Sequence, residues 1–289
     1  MMAFKILSLV LTCAVCQIFL TSKLLATSSK RSSSVSLSLS EKYFYYEEPS
    51  FMKSYGFMTG IDISFSSERE KGFYAEGLIS SHFGDSTYHG SIQKLAGDHI
   101  EFSPYSTKNK NSSSLIYLDG KFGYGFQPSH SIAIIPYAGL SFRNYTLNIS
   151  EDVSQSLAKE ERVTRNGFYF IGVIFNFIAS EHFNVSAETA IGGSTSASVA
   201  YKNFCHGNTE NCKNFDLEDG LYIQASSQAN WFFTDKLNLI TSIAYKYYKF
   251  GKSKNDLLLI TPEGPLKMKE PESVNHDISF GIGLAYHFS

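Results

Sequence analysis

Three observations predict an all-β chain that closes as a ten-stranded antiparallel transmembrane β-barrel preceded by a cleaved signal peptide. Apolar residues alternate with small or polar ones at period two in ten segments, helical periodicity is nearly absent, and tight connections alternate with long ones. Composition sets the bounds. The 289 residues include 18% charged residues, 24 Phe and 18 Tyr but one Trp, with a formal net charge of −2. Such a chain is neither disordered nor a basic nucleic-acid binder, so no nucleic-acid partner is expected.

Lys5 precedes an apolar stretch from Ile6 to Val15, continued by Ile18, Phe19 and Leu20, and Ala26 supplies a small residue for cleavage. This is the pattern of a secretory signal peptide over 1–26. An uncleaved anchor needs about 20 predominantly apolar residues, and Thr12, Gln17, Thr21, Ser22 and Lys23 interrupt the run. Thr12 and Val15 are poor predecessors for lipid attachment at Cys13 or Cys16. Residues 27–34 read as a Ser-rich linker and 35–289 as the barrel. No later stretch approaches about 18 apolar residues, so any further membrane crossing uses strands.

The last strand is the clearest. Ile278, Phe280, Ile282, Leu284, Tyr286 and Phe288 share one face, opposite Ser279, Gly281, Gly283, Ala285 and His287. The segment 221–233 repeats the pattern, with Leu221, Ile223, Ala225, Ala229, Trp231 and Phe233 opposite Tyr222, Gln224, Ser226, Gln228 and Asn230. Comparable runs fall at about 35–47, 55–67, 72–84, 115–126, 132–148, 167–178, 183–202 and 237–250. The one helical expectation is a short loop helix within 150–163, with Val153 and Leu157 on one side.

The connections between these strands are 48–54, 68–71, 85–114, 127–131, 149–166, 179–182, 203–219, 234–236 and 251–274. Every second one is tight, the arrangement of strands that cross a bilayer with short periplasmic turns and longer outer loops. An even strand number returns both termini to the periplasmic side. A soluble sandwich has no reason to segregate its loops by length.

With sides assigned, Phe65, Phe126, Phe177, Trp231, Phe233, Tyr286 and Phe288 fall near the short-turn ends, and Phe57, Phe83, Phe142, Tyr245 and Tyr247 toward the long-loop ends. Two aromatic girdles are expected. The opposite face reads as Gly, Ser, Ala, Asn and Gln with isolated ions: Lys42, Lys121, Arg143 and Lys246 against Asp62, Glu76, Asp119 and Glu188. Buried charge is costly unless paired, so these eight are expected to neutralise one another as a plug. Ten strands leave little free lumen beside the 16 to 18 of open porins. A narrow passive channel is the competing reading.

From Tyr43-Phe44-Tyr45-Tyr46-Glu47-Glu48-Pro49-Ser50-Phe51-Met52, through Gly72-Phe73-Tyr74-Ala75-Glu76-Gly77 and Ile135-Pro136-Tyr137-Ala138-Gly139-Leu140, to its end, the chain resembles a family of bacterial outer-membrane β-barrel proteins without an assigned activity. Its last strand is similar to the carboxy-terminal assembly signal of such barrels at Ile282, Leu284, Tyr286 and Phe288, with Ser289 one residue beyond the final aromatic. The resemblance implies the outer membrane of a Gram-negative bacterium. It implies contact with outer-membrane lipid and lipopolysaccharide, and recognition by the barrel-assembly machinery.

Sites of chemistry are sparse. Cys205 and Cys212 share one outer loop in an oxidising compartment and are expected to form a disulfide. With His206 they fall short of the ligands a structural zinc needs, and neither a metal nor a cofactor is expected. The enzyme alternative is an omptin-like outer-membrane protease, which requires paired acids and an Asp/His pair near the rim. Asp85, His89, Asp98, His99, His206, Asp216, Asp219, His276 and Asp277 lie in or beside the loops, but no family motif surrounds them. The expected role is therefore not enzymatic. It is structural or surface-interacting (adhesin-like), with a host or cell-surface ligand met by the outer loops. Leu257-Leu258-Leu259-Ile260 marks either a partner surface or a segment folded over the mouth.

Overall fold

The computed structural model describes residues 33–49, 52–67, 71–96, 99–149, 160–201, 215–254, 257–261, 264–268 and 270–288. The strands are β1 (Ser33–Glu48), β2 (Met52–Ser67), β3 (Gly72–Ala96), β4 (His99–Ser129), β5 (Ile132–Ile149), β6 (Glu160–Ser180), β7 (Phe183–Tyr201), β8 (Phe215–Asp216), β9 (Leu221–Thr234), β10 (Leu237–Phe250), β11 (Leu257–Thr261), β12 (Gly264–Met268) and β13 (Ser273–His287). Ten of them, β1 to β7, β9, β10 and β13, pair antiparallel with their neighbours, and β1 with β13 closes the ring. None of the helices among the described residues is long and apolar enough to cross a membrane.

The register fixes the barrel's dimensions. From Ser34 the ladder passes through Ser66, Glu76, Lys121, Gly139, Phe170, Gly192, Tyr222, Tyr248 and Asn275, and returns to β1 at Tyr46, twelve residues further on. A stagger of twelve over ten strands tilts each strand by about 40° and sets a backbone radius of about 10 Å.

Outward residues form an apolar belt. Leu37, Leu39, Ile61, Ile63, Ile79, Leu118, Ile171 and Ile282 are exposed between two rows of rings. Phe73, Tyr124, Phe126, Trp231, Phe233, Tyr286 and Phe288 stand at the foot, where the short turns lie. Phe57, Phe83, Tyr43, Tyr245, Tyr247 and His276 stand toward the rim. Along β13 the rows are ten residues apart, from Tyr286 to His276, which at this tilt is about 25 Å, the height of the apolar band of outer-membrane barrels.

Several expectations are corrected. The 85–114 connection is not a loop: β3 and β4 run on as a paired ribbon to Ala96↔His99, since pairing between two strands outside the barrel wall needs no alternating apolar face. Their ladders to β2 and β5 stop lower, at Gly90 and Ser112, so the ribbon rises alone above the rim. Glu160 to Val163, within the expected loop helix, belong to β6, and the rest of that segment lies outside the described residues. Ser33 and Ser34, at the end of the expected linker, already belong to β1. Leu257 to Ile260 pair with β12 in a separate two-stranded hairpin.

The largest correction concerns the lumen. Beside its small polar residues the inner face carries buried Phe44, Tyr74, Tyr117, Tyr137, Phe168, Phe170, Tyr222, Tyr248 and Phe250. Parity explains it: these rings share strand phase with Lys42, Glu76, Asp119, Gln224 and Lys246. Glycines on the inner face make room for them. A Cβ on Gly139 would stand 2.4 Å from the Phe170 ring, which lies across it.

Replacing Gly139 by Val is predicted to overpack this layer and cost about 1–3 kcal/mol. The check is equilibrium urea unfolding of the detergent-folded chain, followed by the fluorescence of its single tryptophan, Trp231. An unchanged midpoint would contradict the packing described.

Candidate functional site

The lumen holds the chain's only dense set of described ionisable groups, and they are layered by the strand phase that carries them. Near the foot, Lys121 on β4 lies 2.9 Å from Glu76 on β3 and 2.8 Å from Glu188 on β7. The Tyr137 hydroxyl donates to Glu188, the Tyr74 hydroxyl to Glu76, and Ser226 to Glu188 at 3.1 Å. One cation is thus shared by two carboxylates, each of which also accepts a hydrogen bond from a tyrosine hydroxyl.

The middle layer bridges the lumen. Lys246 on β10 reaches Asp119 on β4 at 2.8 Å, and Ser141 donates to the same carboxylate. The Tyr117 hydroxyl donates to Asp277 on β13 and receives a hydrogen bond from Tyr248 at 3.1 Å. Arg143, 1% exposed, lies 3.8 Å from Asp277 and 4.8 Å from the centre of the Tyr248 ring. Lys42 sits 4.0 Å over Tyr117. Asp62 lies 3.8 Å from His82, whose ring contacts Ser40 at 2.7 Å.

Rings fill the space above. Phe168 packs against Tyr222, Tyr248 and Phe250 with centres 5.4, 5.1 and 5.7 Å apart, and Phe44 packs on Tyr145 at 5.5 Å.

At the rim, Arg162 on β6 bonds Glu48 and Tyr46 on β1 and Glu270 in the segment before β13. A strap backs this latch. Leu217 bridges Ser253, Lys254 N–H donates to Asp216 at 2.7 Å, and Ser253 N–H to Glu270 at 3.0 Å. Phe215 and Leu217, beside this strap, are buried with the lumen rings.

All eight charges of the sequence-derived network therefore face the lumen. Lys121, Glu76 and Glu188 meet, as do Lys246 and Asp119, whereas Arg143, Asp62 and Lys42 pair with Asp277, His82 and a tyrosine ring. Asp277 and His82 are legible by parity, being in phase with Ser279 and Glu76. Glu48 and Arg162 sat in segments read as loops, and nothing in the sequence marks Glu270.

The rim residues of the protease alternative are not brought together. His276 faces outward among Tyr45, Tyr245 and Tyr247, whereas Asp277 faces the lumen. His89 stacks on Tyr55 outside the barrel, Asp85 and Asp216 are exposed, and Asp219 lies 3.6 Å from Lys254. Asp98, His206 and the Cys205–Cys212 pair lie outside the described residues, as does the side chain of His99. Among the described residues no group of three or more His, Cys, Asp or Glu could hold a metal ion. The assembly-signal residues Ile282, Leu284, Tyr286 and Phe288 line the outward face of the closing strand.

Lys121→Met leaves the part-buried Glu76 and Glu188 carboxylates without their cation and is predicted to cost about 2–3 kcal/mol, less than a fully buried pair. Adding Glu76→Gln and Glu188→Gln should recover most of that loss, which a urea midpoint series measures. A single variant as stable as the parent would show that the three charges do not form one unit.

No protein-family model matches the chain, and no curated protein does. Among solved structures it is similar to the outer-membrane protease OmpT from Escherichia coli, with a TM-score of 0.56 at 11% identity, covering 93% of this chain and 100% of that one. It is also matched by the translocator domain of the autotransporter NalP from Neisseria meningitidis (TM-score 0.41, 10% identity, 89% of each chain). A third match is the toluene transporter TodX from P. putida (0.31, 9%, 89% of this chain and 90% of that one). At 11% identity the likeness to OmpT extends to the fold and no further. The chain has the closed antiparallel barrel fold found in outer-membrane proteins.

Proposed function

We propose that the chain is an outer-membrane β-barrel protein of a Gram-negative bacterium, exported by a signal peptide over 1–26, with a structural or surface-interacting, adhesin-like role and a lumen closed by its own side chains. The observation that carries this reading is the set of bridges across the lumen at successive depths: Lys121 with Glu188, Lys246 with Asp119, and Arg162 with Glu48. A barrel about 10 Å in backbone radius that is crossed by paired charges and packed with rings has little room for solute. The outward belt supports the membrane setting, since a band about 25 Å tall between aromatic rows is what lipid contact requires.

In this reading the foot faces the periplasm and the rim the exterior. Lipid and lipopolysaccharide meet the belt, the assembly machinery meets the last strand, and a host or cell-surface ligand meets the rim connections and the β3–β4 ribbon. The crossings argue against a narrow passive channel. The separation of His276 from Asp277 by the barrel wall argues against an omptin-like protease built on that pair.

Purified, refolded protein is predicted to migrate heat-modifiably on gels, to give no reproducible conductance steps in planar bilayers, and to leave peptides uncut. Regular steps from the parent protein would replace the plug with the channel. Cleavage lost on changing Asp85, Asp216 or His276 would replace it with the protease. Arg143→Ala combined with Arg162→Ala removes two crossings while Asp277, Glu48 and Glu270 remain. That variant is predicted to open small cation-preferring steps.

A further inference from the structure

The barrel wall has a seam at its foot. Pro136 has no amide proton to give to β4, and the β4–β5 ladder breaks beside it. Pairing reaches Gly123↔Tyr137, resumes in the same register at Phe126↔Ile134 without pairing Pro136, and shifts once, before Ser129↔Ile132. Gln127 and Pro128 occupy that last irregular stretch, so the two strands are loosely joined where they enter and leave their turn. A groove of about 610 Å³ lies along the seam, lined by Tyr124, Phe126, Ile134, Pro136 and Lys71 among others. One wall is held stiffly: Tyr124 and Phe126 have ring centres 5.1 Å apart, and Phe73 meets Tyr124 edge-on at 5.7 Å.

The chemistry of the groove is uneven. Its wall is aromatic and aliphatic, and among the described residues lining it Lys71 is the one that carries a charge. Lys71 is exposed and directly precedes Gly72, whose φ of 121° lies in the region that other residues rarely adopt. The other turns at the foot pair Glu181 with His182 and Asp235 with Lys236, and in the sequence Lys71 follows Glu68, Arg69 and Glu70, so it is the position of Lys71 on the groove, not the net charge of its turn, that faces a ligand there. The groove stands level with the lower aromatic row, where acyl chains end and headgroups begin.

We infer that this groove is a binding site for one anionic phospholipid of the periplasmic leaflet. An acyl chain lies along Tyr124, Phe126 and Pro136, and the headgroup phosphate receives the Lys71 ammonium. The groove is open on its outer side, so it holds one acyl chain against the wall without enclosing it, and a lysine at an anionic lipid surface supplies the selectivity. The assignment rests on the orientation proposed above, with the foot toward the periplasm.

Native mass spectrometry of the full chain refolded in neutral detergent tests it, with phosphatidylglycerol and phosphatidylcholine of identical acyl chains as probes. The parent protein should retain a single phosphatidylglycerol at roughly five-fold lower lipid concentration than phosphatidylcholine. Lys71→Gln should erase that preference, Ile134→Trp should fill the groove and reduce both adducts, and Lys236→Gln, on another turn at the foot, should change neither. Equal retention of the two lipids by the parent, or adducts indifferent to Ile134→Trp, would overturn the site. Loss of the adduct to millimolar inorganic phosphate would overturn the acyl part, because the headgroup alone would then account for binding. Heat-modifiable migration of each variant separates these results from a failure of the membrane-barrel reading, which would abolish it throughout.

Discussion

Closure with a stagger of twelve residues governs the rest of the molecule. It gives ten strands a backbone radius of about 10 Å, too wide to be filled by the alanines, serines and glycines that line much of the inner face, and too narrow for an open pore. The space is filled by side chains that reach the axis. Arginine, lysine, glutamate and tyrosine do so, but their polar ends must then find partners in a confined interior. The pairing of Lys121 with two carboxylates, and of Lys246 with Asp119 from the far wall, meets that demand. The rings of Phe168, Tyr222, Tyr248 and Phe250 then occupy the volume that no ion pair reaches.

Parity made much of this readable from the chain. In a strand, successive side chains face opposite sides, so assigning Phe280 and Ile282 outward commits Ser279 and Gly281 inward, and the same count reaches Asp277 two residues earlier. The ten barrel strands and the eight inward charges follow from that count. Partners do not, because closure brings together strands far apart in sequence. Lys246 and Asp119 are 127 residues apart, and only the stagger puts them at one depth. Apart from Tyr222, which the alternation of 221–233 already places inward, the inner rings are hidden for a different reason: aromatic residues suit both a lipid boundary and a packed lumen, and composition cannot divide them. The ribbon of β3 and β4 was read as a loop because Ser, Lys and Asn dominate its upper reaches, although a strand freed from both neighbours needs no apolar face.

The rim differs in kind from the layers beneath it. The strap through Leu217, Ser253 and Glu270 is held by backbone hydrogen bonds between segments remote in sequence, and Arg162 fastens it to β1. Residues from β1, β6, β8 and the two segments flanking the β11–β12 hairpin converge there. Of these contacts, those of Arg162 with Glu48 and Tyr46 join strands on opposite sides of the ring, whereas the strap joins segments beside neighbouring strands.

The β3–β4 ribbon carries a freedom that the other connections lack. The ring's circumference and stagger are set wholly by pairings below Gly90 and Ser112, whereas the ribbon above keeps only its internal ladder. Residues added or removed in matched pairs there lengthen or shorten a mast without altering the hull. The tip can therefore diverge in length and sequence while selection on the barrel holds every inward charge in place.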